Sequence, residues 1–167
     1  MPGCAIMDGW PPSMRRKAAK GVEMRISTLL QGKGASVATV PTSASVREVV
    51  ARLAEHRIGA LVVSNDGTTI DGIVSERDVV RRLHSDGPAT LDLTVADVMT
   101  ADVRTCQPSD GVDELMAVMT EHRIRHVPVV VDGQLAGIVS IGDVVKSRLG
   151  ELETERSTLL EYLHTGR

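Results

Sequence analysis

Two short runs carry the residue types in this chain best suited to chemistry, Ser75-Glu76-Arg77-Asp78 and Ser140-Ile141-Gly142-Asp143. A serine at a helix N-cap places its hydroxyl beside unpartnered backbone N–H groups at the positive end of the helix dipole, where a phosphate is stabilised. An aspartate three residues later sits in the first turn on the same side. Its two carboxylate oxygens can accept charge-assisted hydrogen bonds from adjacent ribose hydroxyls. Each run follows an apolar Gly-Ile-Val segment that supplies walls for an adenine, in keeping with sites that are mostly apolar with a few placed polar groups. Ordinary helix capping accounts for either Ser-x-x-Asp taken alone.

The surroundings of the two runs differ. Glu76-Arg77 in the first becomes Ile141-Gly142 in the second, and Gly59-Ala60 becomes Arg125-His126. Arg77 adds a cation to the first, while Gly142 lets a ligand approach the backbone closely in the second. The planar fork of Arg125 matches phosphate oxygens; the alternative is a solvated arginine beside a structurally paired histidine. Two sites built this way should not bind equally. The expectation is one dominant nucleotide site, or one ligand whose ends use both sites, an arrangement suited to a dinucleotide such as NADH.

The elements that must position these residues occur twice. Glu55-His56-Arg57-Ile58 returns as Glu121-His122-Arg123-Ile124, an offset of 66 (121 − 55). Gly72-Ile73-Val74-Ser75-x-x-Asp78-Val79-Val80 returns from Gly137 with an offset of 65 (137 − 72), so one residue is lost in the turn after Asp66-Gly67 and Asp132-Gly133. Two copies in nearly constant register imply two similar units packed together with any site duplicated. His56-Arg57 and His122-Arg123 fall at helix ends, where cations meet the negative end of the dipole; Arg123 also has the length to reach a phosphate.

The first unit reads as strand, helix, strand, hairpin, strand, helix. A short helix or turn is expected over Met24–Leu30, a loop at Gln31-Gly32-Lys33-Gly34, and a strand over Ser36–Val40. Ser45 and Glu48 form a capping box for a helix whose stripe is Val46, Val49, Val50, Leu53 and Ile58. Ala60–Val63 is a buried strand, Asn65-Asp66-Gly67 a hairpin turn and Ile70–Ser75 its return. Ser75 then caps a helix carrying Val79, Val80 and Leu83, and a polar linker runs to Leu93. In the second unit, Val95–Thr100 opens the repeat and Val103–Cys106 is its first strand. Val112, Leu115, Met116 and Met119 form its helix stripe, and Val127–Val131 pairs with Leu135–Ser140. Val144, Val145 and Leu149 face the core from the last helix. Pro128 marks an edge position or a strand start. From Gly150 a charged C-terminal helix follows, with Leu152, Leu159, Leu160 and Leu163 docking on a partner or on the chain's own fold, or else solvated. The expected division is 1–23, a disordered basic leader unless translation starts at Met24; 24–93, the first repeat; 94–150, the second; and 151–167, the C-terminal helix.

Composition narrows the function. A chain of 167 residues can bury a real core, but Phe is absent and Trp10 and Tyr162 are the only aromatics, which argues against stacking platforms for single-stranded nucleic acid. A net charge of −3 leaves no footprint for duplex DNA. No apolar run reaches membrane-spanning length. Cys4 and Cys106 follow no CxxC or disulfide-framework spacing, as expected of reduced thiols in a cytoplasmic protein. Histidine spacing offers no metal site, Gly32-Lys33-Gly34 lacks the rest of a P-loop, and no GxSxG elbow or base accompanies Ser75 or Ser140. Catalysis is not expected.

The duplicated Gly-Ile-Val-Ser-x-x-Asp, the Asp-Val-Met-Thr at 97–100 and the Arg-Ile-Arg-His-Val-Pro-Val at 123–129 together resemble the CBS domain, named after cystathionine beta-synthase. Two such domains in tandem form a Bateman module, and the patterned region is similar to stand-alone two-CBS proteins of bacteria. The resemblance implies an α/β (α+β) fold of two β-α-β-β-α repeats with pseudo-twofold symmetry, commonly a disc-like homodimer. It also implies clefts for adenosine-containing ligands: AMP first, with NADH, ADP, ATP and S-adenosylmethionine among the family's ligands. By resemblance, Thr39, Val40, Pro41, Ile58, Gly59 and Ala60 contact the base in the first cleft, beside Ser75, Arg77 and Asp78. Thr105, Cys106, Arg125, His126, Val127 and Pro128 do so in the second, beside Ser140, Gly142 and Asp143, with Thr100 and Arg123 adjoining. The implied role is a sensor acting on an unidentified regulated protein. The alternative is a structural or partner-binding module with vestigial clefts.

Overall fold

The computed structural model describes residues 24–32 and 37–165. The leader 1–23 and the loop at Lys33-Gly34 lie outside the described residues, as does Ser36.

In the first repeat, β1 (Thr39–Val40) lies parallel to β2 (Ala60–Val63), with Thr39 opposite Val62. A parallel pair needs a crossover, and α2 (Val46–His56) supplies it. Ser45 caps α2 by accepting the Glu48 N–H at 3.2 Å. The expected carboxylate half of that capping box is not formed. Glu48 takes Arg52 instead, at 2.7 Å across one helical turn, and the other arm of Arg52 donates to the Thr39 carbonyl at 2.8 Å. The helix is thereby tied to the strand that feeds it.

β3 (Gly72–Ser75) pairs antiparallel with β2. It starts later than expected because the turn is longer than Asn65-Asp66-Gly67 alone. Asp66 accepts the Thr68 and Thr69 N–H groups at 2.7 and 2.6 Å, while Asp71 closes the loop onto Asn65. The Thr69 hydroxyl, followed by the Thr69 and Thr68 backbone N–H groups, holds the Asp66 carboxyl well below the usual carboxylate range. α3 (Glu76–Asp86) follows.

The second repeat places α5 (Val112–Glu121) before β4 (His126–Val131), β5 (Gln134–Ser140) and α6 (Ile141–Thr165). Asp132 (φ 51) and Gly133 (φ 78) are both left-handed, the conformation that lets a two-residue hairpin follow the strand twist. The expected strand Val103–Cys106 reduces to one parallel bridge between Cys106 and Val129. Cys106 N–H donates to the Pro128 carbonyl at 3.0 Å, and the Cys106 carbonyl accepts from Val130 N–H at 2.9 Å. Pro128 sits where this pairing ends, so its missing N–H removes no ladder bond.

Two cores form, and each crosses the boundary at 93/94. The first gathers Val40, Val46, Val49, Leu61, Val63 and Val74, and is completed by Val95 from α4 (Val95–Val98), with Met99 packed against it. The second gathers Leu115, Met119, Val127, Val139 and Val144, and is completed by Ile26 from α1 (Ile26–Gln31). Matching backbone bonds secure the exchange. Val46 N–H and Val95 N–H bond Leu93 and Ala44, while Ile26 N–H and Val112 N–H bond Asp110 and Met24. Each repeat is thus closed by the segment that precedes the other.

The glycine opening each Gly-Ile-Val-Ser run makes room for this closure. A Cβ on Gly72 would stand 2.6 Å from Met99 Sδ and 3.0 Å from the Thr100 carbonyl, and one on Gly137 would stand 2.7 Å from Leu30 Cδ2. The linker after α3 is not the polar connection expected. It is a 3-10 turn, Gly87–Asp92, that buries Thr90 and packs Leu91 against the first core.

Two further expectations are corrected. Val50, Val80, Val145 and Leu149 do not face the core; all four are exposed, Val80 by 64%. Each belongs to an apolar stripe wider than the buried face of its helix. The C-terminal helix is not a separate element either, because α6 runs unbroken through Gly150. A glycine weakens a helix without ending it unless the chain turns left-handed there. Here Arg148 pairs with Glu151 across the position, and Thr154 Oγ1 bonds the Gly150 carbonyl at 2.9 Å.

Candidate functional site

The chain enters α3 from β3 through Ser75, whose N–H and hydroxyl both donate to Asp78 Oδ2, at 2.9 and 2.5 Å. The entry from β5 into α6 repeats this, with Ser140 N–H and Oγ each 2.7 Å from Asp143 Oδ2. A third copy stands at Thr94 and Asp97, where α4 begins, and the Thr94 hydroxyl with its N–H lowers the Asp97 pKa. The motif is therefore a reciprocal capping box wherever it occurs. It engages Oδ2 of Asp78; what distinguishes that residue is the surface it faces.

That surface is a cleft of about 400 Å³ between the two repeats. From the first repeat it takes Gly59, Ala60, Ser75, Arg77 and Asp78, with Thr100 and Arg123 beside them; Arg125 and His126, expected in the second cleft, line this one instead, because the start of β4 packs against the first repeat. Arg77 Nη1 donates to the Arg123 carbonyl at 2.8 Å, which joins the repeats across the cleft. His126 overlies Gly59, whose added Cβ would lie 3.0 Å from His126 Cε1. Arg123 itself is left-handed (φ 54), as is its counterpart Arg57 (φ 52).

Other expected residues fall elsewhere. The carbonyls of Thr39, Val40 and Pro41 are occupied by Arg52, Ser64 N–H and Ala44 N–H respectively, and Ile58 packs against the first core. Cys106 and Val127 lie in the second core, while Thr105 and Pro128 flank the bridge described above. Asp143 lines a separate groove of about 1060 Å³ between α1 and α6, together with Lys146. Beside it, a Cβ on Gly142 would meet Ser140 Oγ at 3.6 Å and nothing nearer, so approach to that backbone is open.

Sequence reasoning missed Arg81, Arg104 and Asp102, which also line the cleft. Arg81 was within reach of the helical period, being four residues from Arg77 on one face of α3. Arg104 was not, since its place depends on residues 100–104 folding back over β3 through the Ile73–Thr100 bridge. Five arginines and three carboxylates (Glu76, Asp78, Asp102) line the cleft, an excess of two positive charges before the histidines are considered (5 − 3 = 2). Such a cleft attracts anions.

Burial, reinforced by Asp110, pushes the Cys106 thiol up to about 12. Because the thiolate is the nucleophile, Cys106 should resist iodoacetamide at pH 8 in the folded protein and react after urea unfolding, which peptide mapping will show. The folded state favours the protonated thiol, so its contribution is complete below the unfolded pKa, roughly 8.5. That contribution is lost as pH rises toward the folded value.

Among the described residues no cluster of His, Cys, Asp and Glu could hold a metal ion, and no helix is long and apolar enough to cross a membrane. The CBS domain family matches residues 35–85 and 95–150. The CBS domain-containing protein CBSX3, mitochondrial, of Arabidopsis thaliana is 35% identical over 149 residues, covering 84% of this chain and 72% of its own. The fold is similar to the CBS-domain containing protein ATU1752 of Agrobacterium tumefaciens, with TM-score 0.73, 45% identity, and coverage of 75% of this chain and 99% of that one. It is similar also to the CBS domain protein PAE2072 of Pyrobaculum aerophilum, solved in complex with AMP, with TM-score 0.67, 32% identity, and coverage of 78% and 99%. The chain belongs to the CBS-domain family and contains a pair of these domains.

Proposed function

We propose that this protein is a non-catalytic regulatory module that binds an adenosine nucleotide, AMP, ADP, ATP or NADH, in the cleft between its repeats. One observation carries the reading: a helix N-terminus bearing Ser75 and Asp78 faces an arginine-lined cleft built from both halves of the chain. Asp78 meets the ribose diol, Ser75 and the α3 N-terminus stand near the first phosphate, and the guanidiniums meet its charge. The AMP complex of PAE2072 supports an adenosyl ligand. Ser140, Gly142 and Asp143 form a second, weaker site.

A ligand that touches both repeats shifts the module between arrangements only by its differential affinity for them. The output passes to a regulated protein in the cytoplasm, or to a second copy of the chain. The exposed valines suit a homodimer. Val80 and Val145 are both exposed and occupy equivalent places in the two repeats (145 − 80 = 65), so this apolar pair carries the repeat's own symmetry. Val80→Glu, doubled in an isologous interface, should turn a dimer into a monomer by light scattering.

The nucleotide reading is tested by melting the protein with AMP, ADP, ATP, NADH and S-adenosylmethionine. At 100 times the dissociation constant a ligand stabilises by about 2.7 kcal/mol, roughly 5–10 °C for a chain of this size. A flat response to every compound would leave a structural module whose Ser-x-x-Asp boxes are caps alone.

A further inference from the structure

We propose that the exposed stripe along α6 is a coiled-coil seam whose occupant is α6 of a second copy, parallel and in register. The pairing deepens the homodimer reading above, with which it shares Val145, and carries the contact beyond the matched domain pair.

Val145, Leu149, Leu152, Leu159 and Leu163 are exposed by 48, 56, 57, 65 and 71%. With Arg156 between Leu152 and Leu159, the steps along the stripe are 4, 3, 4, 3 and 4, the alternation of a and d positions in a heptad repeat. A stripe confined to a and d is the narrow seam of a coiled coil, not the broader face that a helix lays on a globular core. It begins where Val144 is buried in the second core and runs on past Gly150, where the CBS domain match ends. That core and the Ser140–Asp143 cap hold the helix before a partner arrives, which spares the ordering cost of pairing two isolated helices. Contiguous exposed apolar surface marks an interaction site.

Charge decides the occupant and its direction. Glu153 and Glu155 flank the seam at e and g, and Arg156 interrupts it at a. Among the described residues, neither Glu153 nor Arg156 forms an ion pair within the chain. In a parallel pair an a side chain packs beside the partner's preceding g residue, so Arg156 meets the partner's Glu155. Glu153, at e, faces the partner's Arg148, at g. The two Arg156 side chains share one layer, the loss in stability by which a single charged a position fixes register. An antiparallel pair that buries the same residues sets Leu149 against the partner's Leu159. It then sets Glu153 against the partner's Glu153 and Glu155 against the partner's Glu155, both repulsive. The antiparallel register that matches these charges, Leu149 against the partner's Leu152, puts Leu159 opposite Gly142 and Leu163 beyond the start of α6. The parallel register alone joins apolar contact along the stripe to opposite charges at its flanks.

The test is sedimentation velocity over a concentration series on the full chain, as wild type, Leu152→Glu/Leu159→Glu and Val80→Glu. Both leucines are exposed, so the double variant should keep the wild-type circular dichroism spectrum. Four carboxylates brought into one seam should raise the dimer dissociation constant at least about tenfold. Leu152→Cys in a Cys4→Ser background reads the direction. In the parallel register its two copies meet across a d layer, and oxidation with diamide should yield a disulfide-linked dimer. Cys106 is buried and takes no part. Loss of the dimer in both the leucine and the Val80 variants, with the cross-link formed, places seam and valines in one interface. Loss in the leucine variant alone would support the seam and sink the valine interface. Loss in Val80→Glu alone would overturn the seam and leave the valine interface standing. A dimer that Leu152→Cys does not cross-link overturns the parallel pairing, and a wild type that is monomeric at every concentration overturns both interfaces. Nucleotide binding enters none of these outcomes.

Discussion

Ile26→Ala should destabilise the protein by about 2–5 kcal/mol, although Ile26 lies 80 or more residues before the other buried members of the core it enters (106 − 26 = 80). Its side chain is fully buried among Cys106, Leu115, Val127, Val139 and Val144. Removing it opens a cavity in a core that has no aromatic ring to slide into the space. The backbone cannot follow the shortened side chain inward, because Ile26 N–H is bonded to Asp110 at 3.0 Å and Ser27 N–H to Pro108 at 2.9 Å. Val95→Ala should cost about 2 kcal/mol by the same mechanism in the first core, since two methyl groups are lost. Urea unfolding followed by circular dichroism measures both. Because each core contains a segment belonging to the other half, one cooperative transition is expected in each variant. Two separated transitions, or a change below about 1 kcal/mol for Ile26→Ala, would contradict the exchange.

The second large effect concerns ligand affinity. Asp78→Asn should weaken binding of an adenosine nucleotide about 10- to 100-fold, the range expected when a charge-assisted pair of hydrogen bonds becomes neutral. Asparagine keeps a carbonyl oxygen able to accept from Ser75 N–H and Oγ, so the α3 cap survives and the melting temperature stays near that of the parent. Asp78→Ala removes the cap as well and should cost about 1 kcal/mol in stability. The pair of variants separates the two roles that one carboxylate holds. Asp143→Asn, at the start of α6, should spare the tighter site. Unaltered nucleotide affinity in Asp78→Asn would mean the carboxylate is a cap and nothing more.

The contrast between Asp78 and Asp97 shows how far a motif can be read. Both close a capping box three residues after a hydroxyl, and their local geometry is nearly the same. The spacing announces the cap at either place. It cannot announce the arginines opposite Asp78, because Arg104, Arg123 and Arg125 arrive from 26, 45 and 47 residues downstream (104 − 78, 123 − 78, 125 − 78). Val50 and Val80 teach the complementary lesson. Their helical spacing placed them on an apolar stripe, yet the core each helix meets is narrower than its stripe, and the outer edge stays exposed. Val103–Cys106 had a strand's composition but found a partner at Cys106 alone.

By itself the sequence determined the duplicated unit, the order of its helices and strands, the caps at Ser45, Ser75 and Ser140 and most of the buried positions. These follow from interactions within a few residues: helical and strand periods, turn glycines and side chains that bond their own helix start. Only the tertiary structure decided that α1 completes the second core and α4 the first, and that arginines from separate segments converge between the repeats. Those outcomes depend on which distant surfaces bury each other best. Apolar contacts carry no local mark of their partner, and a charge on one segment says nothing of the charges that packing will bring beside it.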